Sequence, residues 1–151
     1  MPAYVPDPSA ATVLPDALLE AASLRAHLSS LTARGLARGA ALYQRGLFWE
    51  AHETWEDTWL REEGETRQLL QGLILIAAAL HKALVERRSG GCGRLFAHAL
   101  EKLAPLGARE GGVDLATVRS GTQRASALAV AWHEGSGEAP TREDAPELRP
   151  A

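Results

Sequence analysis

The chain has 151 residues, a length that suits one domain with a single core. Its 16 basic and 19 acidic side chains leave a net charge of -3, and residues 134–151 account for all of this excess. A nucleic-acid-binding domain needs a basic surface to neutralise phosphates, so the balance of charges in the rest of the chain argues against nucleic acid as a partner.

The composition does not suggest secretion or insertion into a membrane. Cys92 is the only cysteine, so no disulfide can form within the chain, and the N-terminus lacks the basic start and apolar run of a signal peptide. The longest apolar stretch, residues 69–84, measures about 24 Å as a helix and is interrupted by polar side chains. We therefore expect a cytoplasmic protein with no membrane partner.

The N-terminal part of the chain is expected to form an arm followed by a helix. Prolines recur within residues 1–15 without helical periodicity, which predicts an extended arm. Asp16 is a suitable N-cap, and leucines at helical spacing follow it. Because glycine weakens a helix, we expect this first helix to break near Gly35 and Gly39.

Five further helical segments are predicted from periodicity and from their end signals. They cover about residues 41–45, 47–62, 65–87, 93–103 and 114–132. Gly46 is placed to end the first of them in a left-handed conformation, and Asp114 to cap the last. The remaining residues, 134–151, are polar and rich in proline, which predicts a disordered acidic tail.

These elements predict the fold class and the domain organisation. No convincing strand occurs and the connections are short, so we expect an all-α, multihelical bundle of four to six helices with buried polar residues. A single domain over residues 16–133 would contain the whole bundle.

The second of these segments is the most informative, because acids, a histidine and large aromatics share one side of a helix. At about 100° per residue, eight side chains fall within an arc of about 160°. These are Phe48, Trp49, His52, Glu53, Trp55, Glu56, Trp59 and Leu60. Glu50 and Asp57 fall on the opposite side of the wheel, where we expect solvent.

A polar stripe on the next helix can face that arc, since Gln71 and His81 share one side with apolar residues. We therefore predict a buried polar centre with an aromatic lining. The centre comprises His52, Glu53, Glu56, Gln71 and His81, and the lining comprises Trp49, Trp55 and Trp59. An uncompensated buried charge costs about 3–5 kcal/mol, so the carboxylates must have partners.

Three kinds of partner remain open at this point. Protein groups alone could satisfy the acids, which makes the centre a structural network. A divalent metal ion is the candidate cofactor of the main alternative, a metal-dependent hydrolase with His52, Glu56 and His81 as ligands and Glu53 as general base. The string from residue 52 resembles the zinc-protease pattern His-Glu-x-x-His, with glutamate in place of the second histidine. A small cationic ligand between the tryptophans and the acids is the third possibility.

Two paired motifs resemble a family of small prokaryotic helical proteins, domain of unknown function 309. The first runs from Gly46 to Glu53, as Gly-Leu-Phe-Trp-Glu-Ala-His-Glu, and continues with Glu56 and Trp59. The second contains Leu70-Gln71-Gly72-Leu73-Ile74, then Ala77, Ala78, Leu80 and His81, followed by a glycine break and Arg94-Leu95. The resemblance covers about residues 38–104. It implies a small multihelical bundle with polar residues between its helices, and it implies no established activity.

The sequence therefore predicts a protein of unknown function whose polar centre is structural or supports a partner surface. No catalytic motif other than the weak metal-ligand string is recognisable. Amphipathic bundles of this size often dimerise, so a homodimer is one expected assembly. The sequence leaves the identity of any protein or small-molecule partner open.

Overall fold

The computed structural model describes residues 8–150, with side chains from residue 23 onward apart from Arg25. Within this range the chain forms a bundle of five α-helices, as the all-α prediction requires. The helices are α1 (Pro8–Gln44), α2 (Phe48–Trp59), α3 (Gly64–Leu80), α4 (Cys92–Leu103) and α5 (Leu115–His133). A π-helical turn (His81–Val85) extends α3, and a two-stranded hairpin, β1 (Arg109–Glu110) and β2 (Val113–Asp114), precedes α5.

The first helix is longer than the sequence predicted. It begins at Pro8, and proline suits the first turn of a helix because the N–H that it lacks has no partner within the helix there. The extended arm predicted for residues 1–15 is therefore helical from residue 8 onward. Residues 1–7 of that prediction lie outside the described residues. The break expected near Gly35 and Gly39 does not occur, because α1 continues unbroken to Gln44.

Close packing against α2 explains why glycines stand inside α1. A β-carbon on Gly35 would overlap the side chain of Thr58, and a β-carbon on Gly39 would overlap the indole of Trp55. The two glycines therefore let α1 and α2 approach each other closely, and they do not interrupt the helix. In contrast, Gly46 ends α1 as predicted, with a φ of 79° in the left-handed region.

The third helix forms the centre of the bundle, between α2 and α4. Eight of its residues are buried, on several sides of the helix. These are Leu69, Leu70, Gly72, Leu73, Ile76, Ala77, Ala79 and Leu80. Residues 64–85 are long and apolar enough to cross a membrane, with a mean hydropathy of 1.6, but half of the most apolar window is buried within the bundle. Such burial is typical of the core helix of a soluble protein.

The π-helical turn changes how α3 ends. A hydrogen bond between residues five apart defines this turn: Glu86 N–H donates to the carbonyl of His81 at 3.0 Å. Arg87 then adopts a left-handed φ of 56°, and Arg88 N–H donates to the carbonyl of Lys82 at 3.0 Å. This six-residue closure is a Schellman-type end, and it falls where the sequence predicted the helix to finish.

The hairpin before α5 was not expected, because two-residue strands are too short to show an alternating pattern. Gly111 and Gly112 form its turn with φ values of 60° and 75°. The cap predicted for α5 is confirmed: Asp114 accepts a hydrogen bond from Thr117 N–H at 3.2 Å. Hydrogen bonds from Thr117 hold the pKa of the Asp114 carboxyl below its usual value.

The C-terminal segment packs on the bundle and departs from the disordered tail predicted for residues 134–151. Tyr43 Oη donates to the carbonyl of Pro146 at 2.5 Å, and Gln44 Nε2 donates to the carbonyl of Leu148 at 3.1 Å. Leu148 is only 8% exposed. The average composition of the tail is polar, but these few contacts involve its apolar residues and backbone carbonyls. The predicted domain limits, 16 and 133, fall inside α1 and at the last residue of α5.

Burial of Tyr43 makes stability sensitive to alkaline pH. Burial raises the pKa of the Tyr43 phenol well above its usual value of about 10, and nearby Arg142 opposes this only in part. The phenol therefore ionises in the unfolded chain first. We expect the free energy of unfolding to fall as the pH rises above about 10. In the Tyr43→Phe variant, which has no phenol at this position, the free energy of unfolding should fall less over the same pH interval. Urea midpoints at about pH 9 and pH 11 measure this difference; an equal fall in both proteins would contradict it.

Candidate functional site

Helix α2 does not bury the whole aromatic and acidic arc that the sequence singled out. Its buried residues are Phe48, Ala51, Trp55 and Thr58. Phe48 and Trp55 lie at one edge of the predicted arc, so the core packs against that edge. Ala51 and Thr58, which lie outside the arc, complete the buried face. The other edge faces solvent: Trp49 is 43% exposed and Glu53 is exposed.

The three tryptophans of the predicted lining have three different environments. Trp55 is fully buried and donates from Nε1 to the carbonyl of Leu36 at 3.3 Å. Trp59 is half-buried, and the guanidinium of Arg67 lies 4.1 Å from the centre of its ring. Only Trp49 offers a large exposed aromatic surface. The three rings therefore do not line a common pocket.

Two histidines from different elements meet on the exposed tryptophan. The imidazole of His52 stacks on Trp49, with 4.6 Å between ring centres and 15° between ring planes. His81, the first residue of the π-helical turn, lies 5.3 Å from the same ring at 45°. We call Trp49, His52 and His81 the tryptophan–imidazole cluster. Both imidazoles therefore lie against the same aromatic ring, that of Trp49.

Each histidine has a carboxylate of its own. His52 Nε2 lies 3.5 Å from Glu56 Oε2, and His81 Nε2 lies 3.9 Å from Glu86 Oε1. Glu86 was missed from the sequence because residues five apart diverge on an ordinary α-helix. The π-helical turn has a wider repeat, which aligns positions 81 and 86. A π-helical turn leaves no simple pattern in a sequence, so no signal could have identified this partner.

The predicted polar centre is less compact than expected. Glu56 is about half exposed, and Gln71 is partly buried on α3. No three histidine, cysteine, aspartate or glutamate side chains lie close enough to hold a metal ion in the part of the chain with described side chains. The metal-dependent hydrolase with His52, Glu56 and His81 as ligands and Glu53 as base therefore stays a prediction. The Nδ1 atom of His52 is buried and has no hydrogen-bond partner among the described protein atoms.

The fold and the cluster define a small all-α bundle built around an apolar central helix. Residues 36–94, which include α2, α3 and the cluster, match the family model described as Domain of unknown function (DUF309). A crystal structure of a conserved hypothetical protein from Thermus thermophilus is 33% identical; the match covers 60% of this chain and 94% of that chain, with a TM-score of 0.53. The chain belongs to this family of unknown function. No curated protein matches it.

Proposed function

We propose that the protein is a non-enzymatic, cytoplasmic binding module that recognises a basic segment of a partner protein. The binding surface would comprise Trp49 and the acidic side chains beside it on α2. One observation carries the proposal: a tryptophan that is 43% exposed nevertheless lies against two imidazoles.

Stacking prepares Trp49 for binding. An exposed side chain loses rotamer freedom when a partner immobilises it, and this loss opposes association. His52 and His81 restrict the Trp49 ring before any partner arrives, so less freedom remains to be lost. Preorganised tryptophans of this kind commonly supply much of the binding energy of an interface.

The charge around Trp49 favours a cationic partner. Glu50, Glu53 and Asp57 are exposed on α2, and Glu53 follows Trp49 by one helical turn. Glu56 is about half exposed. An arginine guanidinium can stack on an indole and bind carboxylates at the same time. The chain already contains this type of contact at Trp59, where Arg67 lies over the ring.

The experiment uses a short peptide of alternating arginine and glycine, titrated into the full chain by calorimetry. A peptide with citrulline in place of arginine keeps the shape and removes the charge. We expect the arginine peptide to bind, and Trp49→Ala to weaken it about tenfold or more, as for a binding hot spot.

The matched control is Leu60→Ala, because Leu60 is 65% exposed at the end of the same helix. We expect this variant to bind as the unmodified protein does. Equal binding of the citrulline peptide, or unchanged binding by Trp49→Ala, would contradict the proposal.

A further inference from the structure

An open cavity of about 530 Å³ lies along the second half of α1, and it shares no residue with the tryptophan–imidazole cluster. Its walls are α1, the junction between α2 and α3, the turn of the hairpin and the C-terminal segment. We call this cavity the α1 groove. Its volume falls within the roughly 300–1,000 Å³ of typical small-molecule sites.

Small residues on α1 create the groove. Ala33, Ala37 and Ala40 line it from α1, where longer side chains would fill the space. Leu36 and Leu148 add larger apolar surface. A lining of this composition favours a hydrocarbon chain, because burying apolar surface releases it from water.

One negative charge in the groove is available to a ligand. Glu62 lines the groove, and its carboxylate accepts a hydrogen bond from the hydroxyl of Thr32. Among the described side chains, no lysine, arginine or histidine nitrogen lies within 4.0 Å of that carboxylate.

Among the described residues, Arg149 is the one cationic side chain that lines the groove, and it is already engaged. Arg149 Nε lies 3.4 Å from Asp114 Oδ2, and Arg149 Nη1 lies 3.7 Å from Glu147 Oε1. Arg149 Nη2 also donates to Thr117 Oγ1 at 3.1 Å. Two carboxylates therefore offset this positive charge, so an anionic head group would have to compete with them.

We propose that the α1 groove binds a small amphiphile that has an ammonium head and an unbranched hydrocarbon chain. The ammonium group pairs with Glu62, and the chain lies over the alanines of α1. This site is independent of the arginine-peptide surface proposed above, since the two have no residue in common.

The test titrates the full chain with decylammonium below its micelle concentration, with decanoate and decanol as controls of equal chain length. We expect one decylammonium per chain, bound about tenfold or more tightly than either control, because only the ammonium head can donate a charge-assisted hydrogen bond to the Glu62 carboxylate. No decylammonium binding, or equal affinity for decanoate or decanol, would overturn the proposal. Tighter binding of a lysine-containing peptide than of decylammonium would also overturn it.

Two pairs of variants locate the ligand. Glu62→Gln should weaken decylammonium about tenfold or more, whereas Glu63→Gln, at the exposed neighbouring acid outside the lining, should leave binding unchanged. Ala37→Phe should fill the groove and abolish binding, and Ala41→Phe, also exposed on α1 but outside the lining, should not. Loss of binding in both control variants would overturn the assignment. Retention of binding in both test variants would also overturn it.

Discussion

Replacing Trp55 by alanine is expected to lower the free energy of unfolding by about 3–5 kcal/mol, the usual cost of removing a large buried aromatic side chain. Trp55 is fully buried, and its ring centre lies 6.0 Å from that of Tyr43. Its Nε1 also donates to the carbonyl of Leu36, a bond that joins α2 to α1. Since total stabilities are roughly 5–15 kcal/mol, this loss threatens the folded state itself.

Urea unfolding followed by far-ultraviolet circular dichroism measures the effect without relying on tryptophan fluorescence. Trp49→Ala is the matched control, because it removes the same side chain from an exposed position on the same helix. We expect Trp49→Ala to cost only a fraction of what Trp55→Ala costs. Similar losses for the two variants would mean that the described burial of α2 is wrong.

Gly39→Ala is the second large expected effect, and its sign opposes the usual rule. Inside a helix, alanine is ordinarily more stable than glycine by about 1 kcal/mol. At this position the added β-carbon would overlap the indole of Trp55, which is itself fully buried. We therefore expect a net loss of about 1–3 kcal/mol, as for overpacking of a core. Gly107→Ala should change stability little, because an added β-carbon there would have no atom within 4 Å apart from those of Gly107 and its chain neighbours.

A double variant tests whether Trp55 causes this loss. Trp55→Phe replaces the indole by a smaller ring, so Gly39→Ala should cost less in that background than in the unmodified chain. The two effects should be non-additive by at least about 0.5 kcal/mol, as expected for residues in contact. Strict additivity would show that Gly39 acts through its backbone and not through the α1–α2 contact.

Features that depend on a few neighbouring residues were predictable from the sequence. The left-handed end of α1 at Gly46 and the cap of α5 at Asp114 are confirmed. The apolar central helix was also recognised, because its composition differs from that of every other segment. Helical spacing singled out His52 and His81, but it did not reveal that both imidazoles lie against the ring of Trp49.

Other features could not be predicted, because they depend on tertiary contacts or on local geometry that has no sequence pattern. Glycine inside a helix weakens it whether or not another helix packs there, so Gly35 and Gly39 suggested a break. The partnership of His81 with Glu86 requires a π-helical turn, which follows no simple sequence rule. Packing of the C-terminal segment depends on single contacts such as that of Tyr43, which average composition conceals.

By itself, the sequence determined the all-α class, most helix ends and the residues that make α2 unusual, because these follow from propensity and periodicity within a few turns. Only the tertiary structure decided that Trp55 lies in the core while Trp49 lies at the surface. A helical wheel shows the angles between side chains, but the direction of the core is set by the helices that pack around it. That direction divides the aromatic and acidic segment into a buried side that carries Trp55 and an exposed side that carries Trp49.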